Sequence, residues 1–284
     1  MKVLVTGVHG QLGFDVVKEL TSRGIEAVGA DIDDFDITDE GETSDFITNI
    51  KPDAVIHCAA YTAVDRAEDD AETCRKVNAV GSRNIAEAAA SVGAKIVYIS
   101  TDYVYEGEGD TPFEVTDRVS PLSVYGKTKL EGENAVKAAT DKYFIVRTSW
   151  VFGKNGNNFI KTMLKVGANH PVLKVVDDQI GSPTYTVDLA RLVCDMIMTD
   201  KYGVYHGTNE NFCSWAEFAR EIFKEAGMDT EVKFVTTEEY GISKAKRPHN
   251  SRLSKKNLDD AGFKRLPSWQ DALRRYLKEI DVVK

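Results

Sequence analysis

The chain has 284 residues, which is enough for one large domain or for a domain with a smaller lobe. Its net charge of −9 argues against a nucleic-acid partner, because such a partner calls for a basic face. No apolar run approaches the roughly 20 residues of a membrane span, the N-terminus does not read as a signal peptide, and the four cysteines lack Cys-x-x-Cys spacing. Together these features predict a cytoplasmic protein with no membrane partner and with reduced thiols.

Short β-rich runs alternate with longer helical patterns through the first half of the chain. The expected strands cover residues 3–5, 27–30, 54–58, 95–99 and 143–147, and the expected helices run to about residue 22, over 39–49 and 71–91, and through Tyr125 and Lys129. This alternation predicts βαβ units around a parallel sheet, and the nearly continuous apolar strands indicate that both sheet faces are covered. The fold class is therefore α/β, a doubly wound parallel sheet of the Rossmann type.

The second half is less regular. Helical patterns occur at 159–168, 187–199, 215–226 and 269–279, and strand candidates at 172–176, 204–205 and 231–235. No linker separates the halves, which indicates that the second lobe packs closely on the first. We expect residues 1–150 to form the dinucleotide-binding domain. Residues 151–284 are expected to form mainly a smaller, intimate C-terminal substrate-binding lobe, with some segments returning to the Rossmann domain.

A glycine-rich turn follows the first strand and opens the first helix. Gly7, Gly10 and Gly13 have the spacing Gly-x-x-Gly-x-x-Gly, in which the first glycine permits the turn, the second lets the backbone approach a pyrophosphate, and the third lets helix and strand pack closely. The N-terminus of the helix offers free N–H groups and a positive dipole end to phosphates. This pattern predicts a dinucleotide site rather than a plain connector.

Asp31 ends the second strand, close to the offset of about 20 residues expected of a ribose-binding carboxylate. A carboxylate at that point accepts hydrogen bonds from the adenosine ribose and repels a 2′-phosphate, so it slightly favours NADH over NADPH. The assignment is blurred by Asp33, Asp34 and Asp36 in the same loop, and Asp36 and Ile37 could instead flank the adenine ring.

Three residues form a candidate set for carbonyl reduction. Tyr125 and Lys129 lie four apart on a predicted helix and therefore share one face, and Thr101 closes the fourth strand, where a doubly wound sheet binds its ligands. We expect Tyr125 to deliver a proton, Lys129 to lower the pKa of that phenol and hold the nicotinamide ribose, and Thr101 to polarise the carbonyl. Lys127 points away from Tyr125, and Ser100 is the rival to Thr101.

With these residues in view, the chain resembles the extended short-chain dehydrogenase/reductase superfamily and, within it, the dTDP-4-dehydrorhamnose reductase family. The resemblance runs nearly end to end and rests on seven blocks, at 10–13 (GQLG), 59–65 (AAYTAVD), 100–105 (STDYVY), 121–127 (PLSVYGK), 147–153 (RTSWVFG), 178–184 (DQIGSPT) and 247–251 (RPHNS).

The resemblance implies a cofactor, a substrate and the residues that hold them. The implied activity is NADH- or NADPH-dependent reduction of the 4-keto group of dTDP-4-dehydro-L-rhamnose to dTDP-L-rhamnose. The dinucleotide contacts, those of the glycine turn included, are Gly7, Gly10, Gln11, Leu12, Gly13, Asp31, Asp36, Ile37, Ala59, Ala60, Tyr61, Thr62, Tyr125 and Lys129. The sugar-nucleotide contacts are Thr101, Asp102, Trp150 and Arg247. Trp150 offers a flat apolar face to a sugar or base, and Arg247 suits a diphosphate.

Metal and oligomeric state stay open at this point. Some members of the group bind a magnesium ion at a dimer interface through acidic residues, so a homodimer and a Mg²⁺ site are both possible for this chain. Asp15 and Asp188 are the candidate counterparts, but neither has ligand-like spacing with other acidic residues.

Two other functions share much of this pattern. A nucleotide-sugar epimerase or dehydratase uses the same three catalytic residues and retains NAD⁺ through its cycle. The sequence Gly-Gln-Leu-Gly and the short C-terminal lobe favour the reductase, and a dehydratase calls for an acid/base pair after Thr101 that Asp102-Tyr103 leaves incomplete. A non-catalytic regulatory subunit of an S-adenosylmethionine synthetase is the third possibility, against which Tyr125 and Lys129 argue.

Overall fold

The computed structural model describes residues 1–241 and 243–283. Its strands, numbered along the chain, are β1 Lys2–Thr6, β2 Glu26–Ala30, β3 Ala54–His57, β4 Lys95–Thr101, β5 Tyr143–Thr148, β6 Val151–Phe152, β7 Val172–Val176, β8 Ile180–Gly181, β9 Thr184–Tyr185, β10 Gly203–His206, β11 Cys213–Ser214 and β12 Glu231–Val235. The helices are α1 Gln11–Ser22, α2 Glu40–Ile50, α3 Val64–Ala67, α4 Ala71–Arg75, α5 Ser82–Ser91, α6 Val124–Ala139, α7 Phe159–Gly167, α8 Thr186–Ile197, α9 Trp215–Glu225, α10 Thr237–Tyr240, α11 Lys256–Asp260 and α12 Trp269–Glu279. A single π-helical turn, Lys76–Gly81, joins α4 to α5, and a 3₁₀ turn, Asp102–Val104, follows β4.

The centre of the protein is a six-stranded parallel sheet in the order β2-β1-β3-β4-β5-β10. From β1 the chain crosses to β2 on one side and then to β3 on the other, so β1 marks the point where the strand order reverses. In open α/β sheets the crevice for ligands lies at this point, beyond the carboxyl ends of the strands. The predicted fold class is confirmed.

Both faces of the sheet are covered, as the apolar strands indicate. Val3 and Val5 point to the face packed by α1 and α8, and Leu4 points to the face packed by α2 and α5. All three side chains are fully buried. The alternation of side chains along a strand therefore supplies two separate cores from one run of valine and leucine.

Three segments from the second half of the chain join this sheet layer. Strand β10 pairs with β5, α8 packs along α1, and α11 packs beside β10 with Leu258 in the same core. The rest of the second half forms a smaller lobe with an aromatic core around Phe152, Phe218 and Trp269. Its strands form three two-stranded pairs, β8 with β11, β7 with β12 and β6 with β9.

The predicted elements agree with the structure except in the long helix expected over residues 71–91. That helix is divided into α4, the π-helical turn and α5. The helices α3, α10 and α11 have only four or five residues each, too few for a recognisable period. Within the described residues, no helix combines the length and the apolar character needed to cross a bilayer.

Candidate active site

The carboxyl ends of the sheet strands open onto one cleft with a volume of about 800 Å³. Residues from both halves of the chain line it. Of the predicted site residues, those on its wall are Gly7, Gly10, Gln11, Leu12, Gly13, Asp31, Asp36, Ile37, Ala59, Ala60, Thr62, Thr101, Asp102, Tyr125, Lys129 and Trp150. The fold thus brings nearly the whole predicted set together, and only Tyr61 and Arg247 are outside the wall.

The glycine turn has the close contacts that its spacing predicts. Gly7 adopts φ +73°, in the left-handed region that favours glycine. A Cβ on Gly13 would lie 2.2 Å from the carbonyl oxygen of Gly7, so any side chain there would push α1 away from the turn. Helix α1 begins at Gln11 and directs its first N–H groups toward the cleft wall formed by Gly10.

Asp31 is fixed at the end of β2 by backbone donors. One carboxylate oxygen accepts the N–H of His9 at 2.8 Å, and the other accepts the N–H of Ile32 at 2.9 Å. Since a carboxylate has about four lone-pair sites, these bonds leave acceptor capacity facing the cleft. Asp31 therefore joins the glycine turn to the end of β2 and presents a negative charge between them.

The loop after β3 is held by one side chain from the π-helical turn. Asn78 accepts the N–H of Tyr61 at 2.8 Å and donates to the carbonyl oxygen of Tyr61 at 3.1 Å, as a neighbouring strand would. This pairing fixes the Tyr61 backbone, so that Ala60 and Thr62 on either side line the cleft.

Helix α6 places Tyr125 and Lys129 opposite the end of β4. Ser123 caps the helix by accepting the N–H of Gly126 at 3.1 Å, which sets Tyr125 in the first turn and Lys129 in the second. The ring of Tyr125 meets the ring of Tyr103 edge-on, with 5.5 Å between centroids. Lys127, as predicted, is exposed on another face of the helix.

Burial dominates the electrostatics of this pair. It raises the pKa of the Tyr125 phenol above its usual value near 10, and the neighbouring Thr101 side chain opposes that rise only in part. Burial lowers the pKa of Lys129 to about 7, and its ammonium lies 4.1 Å from the centre of the Tyr98 ring. The prediction that Lys129 lowers the pKa of Tyr125 is wrong for this structure, because burial raises that pKa and Lys129 is not among the groups that shift it.

Thr101 and Asp102 form a buried hydrogen-bonded pair beside the phenol. The Thr101 hydroxyl donates to Asp102 at 3.0 Å, and Ser251 donates to the other carboxylate oxygen. Burial raises the pKa of Asp102 to about 6. The rival hydroxyl, Ser100, donates instead to the buried Glu133 at 2.6 Å.

Trp150 projects into the cleft from a strained backbone position. Its φ of +49° is rare for a bulky residue, and its ring stacks on Trp215 with 3.6 Å between centroids. Arg247 lies beyond the cleft wall, where it pairs with Asp65 at 2.6 Å and donates to the Tyr103 hydroxyl at 3.3 Å. Tyr103 is itself on the wall, so Arg247 contacts a residue that lines the cleft but does not line it.

Comparison with known proteins identifies the family of this chain. The family model described as RmlD substrate binding domain matches residues 1–282. A solved dTDP-4-dehydrorhamnose reductase from Clostridium acetobutylicum is 47% identical, with a TM-score of 0.96 over 99% of this chain and 100% of that chain. The chain belongs to the dTDP-4-dehydrorhamnose reductase family.

Further relatives agree with this membership. The dTDP-4-dehydrorhamnose reductase of Bacillus anthracis, solved in complex with NADP, is 44% identical, with a TM-score of 0.95 over 98% of this chain and 100% of that chain. The spore coat polysaccharide biosynthesis protein SpsK of Bacillus subtilis is 41% identical over 98% of this chain and 97% of its own length. The predicted resemblance to the dTDP-4-dehydrorhamnose reductase family is confirmed.

The two carboxylates for which the family resemblance raised a magnesium site, Asp15 and Asp188, lie on the packed helices α1 and α8. Asp188 is buried and accepts hydrogen bonds from Arg275 at 2.6 Å and from Asn209 at 2.8 Å, while Asp15 accepts one from Thr186. The second oxygen of each carboxylate, Asp15 Oδ1 and Asp188 Oδ1, is buried without a hydrogen-bond partner among the described residues, and the magnesium site stays a prediction. Across residues 1–241 and 243–283, no cluster of three or more His, Cys, Asp or Glu side chains has the arrangement of a metal site.

One buried network of this family member was not predicted. Glu133 and Arg147 are both almost fully buried and form two parallel bonds of 2.8 and 2.7 Å, and Arg147 also donates to Tyr105 at 2.6 Å. Glu133 lies one helical turn beyond Lys129, and it counteracts the lowering of the Lys129 pKa. The spacing of four residues between Lys129 and Glu133 could have indicated that the two side chains share a helix face. The pairing of Glu133 with Arg147 on β5 is a long-range contact that no local sequence pattern reveals.

Proposed function

We propose that this protein reduces the 4-keto group of dTDP-4-dehydro-L-rhamnose to dTDP-L-rhamnose, with NADH or NADPH as the hydride donor. The observation that supports this most is the meeting of Thr101, Tyr125 and Lys129 with the glycine turn on one cleft. The chain's membership of the dTDP-4-dehydrorhamnose reductase family supplies the substrate class.

The cleft suits a dinucleotide on structural grounds. Gly7 and Gly13 let the turn pack closely against the backbone around it, the N-terminus of α1 favours a pyrophosphate, and Asp31 offers acceptors for the adenosine ribose. A dinucleotide held by these residues would supply the hydride for the carbonyl carbon. We propose a slight preference for NADH, because the Asp31 carboxylate repels a 2′-phosphate, and the NADP of the Bacillus anthracis relative makes both cofactors part of the test.

In this proposal the protein's own residues handle the proton. Since burial raises the pKa of Tyr125, its phenol is protonated at neutral pH and can donate to the carbonyl oxygen as that oxygen gains charge. Lys129, with a pKa lowered to about 7, carries a proton on part of the molecules at neutral pH and stands on the cleft wall, where its side chain can hold the nicotinamide ribose.

Thr101 is placed to polarise the carbonyl, but its hydroxyl donates to Asp102 in this structure. For Thr101 to act, the substrate oxygen must replace Asp102 as its acceptor. Trp150 supplies an apolar face for the sugar or the base on the other side of the cleft. Arg247 stands beside Tyr103, where a guanidinium suits the substrate diphosphate.

The decisive experiment is turnover of a panel of 4-keto sugar nucleotides with NADH and with NADPH, followed by loss of nicotinamide absorbance. We expect oxidation of the cofactor that depends on dTDP-4-dehydro-L-rhamnose, and formation of dTDP-L-rhamnose in equal amount. No oxidation with either cofactor would exclude the reductase.

The same preparation separates the alternatives. An epimerase or dehydratase would retain NAD⁺ in a one-to-one ratio after purification and convert a nucleotide sugar without net oxidation of added cofactor. A regulatory subunit would be inactive on every sugar nucleotide and would co-purify with an S-adenosylmethionine synthetase.

A further inference from the structure

The side chain of Gln11 turns away from the glycine turn and binds the second half of the chain. Its carbonyl oxygen accepts the backbone N–H of Gly153 at 2.9 Å and the side-chain amide of Asn158 at 3.0 Å. Beside it, the carbonyl oxygen of His9 accepts the side-chain amide of Asn155 at 2.8 Å. Two residues of the turn, His9 and Gln11, are therefore hydrogen-bonded to one segment, residues 150–158.

Segment 150–158 is also part of the cleft wall. It begins at Trp150, which has a left-handed backbone, and Gly156 and Asn157 line the cleft further along. Hence the stretch that presents Trp150 to one side of the cleft is bonded to the turn that forms the other side.

Asn158 anchors the far end of this segment. Its amide nitrogen, which carries two hydrogens, lies within hydrogen-bond distance of three acceptors, the Gly153 carbonyl and the Tyr276 hydroxyl, both at 2.9 Å, and Gln11. Its carbonyl oxygen caps α7 by accepting the N–H of Lys161 at 3.1 Å. The Trp150 end is held as well, because β6 pairs with β9. The bonds to Gln11 and His9 are the hydrogen bonds that link the segment to the glycine turn.

We propose that Gln11 is a positioning residue that couples the two binding sites, so that a dinucleotide on the glycine turn tightens the binding of a sugar nucleotide against Trp150, and the reverse. The inference rests on the proposed function, which supplies both ligands. A ligand on the turn fixes the oxygens of Gln11 and His9 that accept hydrogen bonds from segment 150–158. A second ligand that contacts this segment then binds with a smaller loss of conformational freedom. Such coupling is reciprocal, because the two bindings form a closed thermodynamic cycle.

The test measures the Kd of thymidine diphosphate by calorimetry with and without saturating NADP⁺, a pair that cannot turn over. For the wild-type protein we expect NADP⁺ to tighten thymidine diphosphate binding by about fivefold or more, the lower end of typical coupling. In Gln11→Met, which keeps the side-chain length but removes the acceptor, we expect this ratio to fall to about one.

Three further variants isolate the cause. Gln11→Glu keeps an acceptor for both donors, so the ratio should persist even if the added negative charge weakens NADP⁺ itself. Asn155→Ala removes only the bond to His9 from a partly exposed loop and should lower the ratio without unfolding the protein. Gln270→Met is the matched control on α12, where the glutamine makes one long contact of 3.4 Å, and it should leave the ratio unchanged.

The outcomes separate this inference from the function on which it rests. If the wild-type protein binds neither NADP⁺ nor thymidine diphosphate, the proposed function is wrong. If it binds both with a ratio of one, or if Gln11→Met keeps the wild-type ratio, the coupling role of Gln11 is refuted and the proposed function stands.

Discussion

Replacing the buried Lys129 with methionine should stabilise the protein while abolishing its activity. Lys129 is 2% exposed, and burial lowers its pKa from 10.5 to about 7. Between those two values the unfolded chain holds the proton and the folded chain does not, so the stability of the wild-type protein rises with pH across this window. The destabilisation is complete below about pH 7 and disappears toward pH 10.5.

The size of the effect follows from the structure. The difference between 10.5 and about 7 corresponds to about 5 kcal/mol, since one pKa unit is about 1.4 kcal/mol. This difference already includes the contact of the ammonium with the Tyr98 ring, 4.1 Å away. Lys129→Met should therefore gain about 5 kcal/mol at pH 6 and about 1 kcal/mol at pH 9.5.

The assay is urea-induced unfolding, followed by tryptophan fluorescence, at both pH values. Lys127→Met is the control, because Lys127 lies on the same helix but is exposed, so it should change neither stability nor activity appreciably. A Lys129→Met protein no more stable than the wild type at pH 6, or a gain that does not shrink at pH 9.5, would refute the reasoning from burial.

Three other substitutions test the remaining roles. Tyr125→Phe should lower kcat by about 10²–10⁴, the range for a lost general acid, and wild-type turnover would show that another group donates the proton. Asp31→Ala should weaken NADH binding more than NADPH binding in a fluorescence titration, whereas equal losses would separate Asp31 from the ribose. Gly13→Ala places a Cβ 2.2 Å from the Gly7 carbonyl oxygen. We expect a loss of cofactor affinity of about tenfold or more, and a decrease of about 1–3 kcal/mol in the free energy of unfolding in urea. Wild-type values for both would contradict the close packing of α1 on the turn.

The parts of the fold that the sequence predicted are those with a local signal. Runs such as Val3–Val5 show strands covered on both faces, and the glycine spacing before Gln11 shows where a helix begins beside a ligand. Because parallel strands bring their carboxyl ends to one edge, the meeting of Asp31, Thr101 and Tyr125 could also be expected.

What the sequence did not predict depends on burial and on distant partners. The pKa values of Tyr125 and Lys129 are set by burial. The spacing of four residues shows that the two side chains share a helix face, but not how deeply that face is buried. The pairing of Glu133 with Arg147 and the bonds from Gln11 to segment 150–158 join residues that are far apart in the chain. Gln11 was singled out as distinctive of the family, but the direction of its side chain is a property of the folded protein.

The π-helical turn Lys76–Gly81 has an evolutionary consequence. Such a turn amounts to one residue inserted into an α-helix, and it is the place from which Asn78 reaches the Tyr61 backbone. Deleting one residue there would restore a regular helix and rotate one half of it by about 100° relative to the other, which would part Asn78 from its partner. The loss of a single codon in this helix would therefore release the loop after β3, although the rest of the protein stayed unchanged.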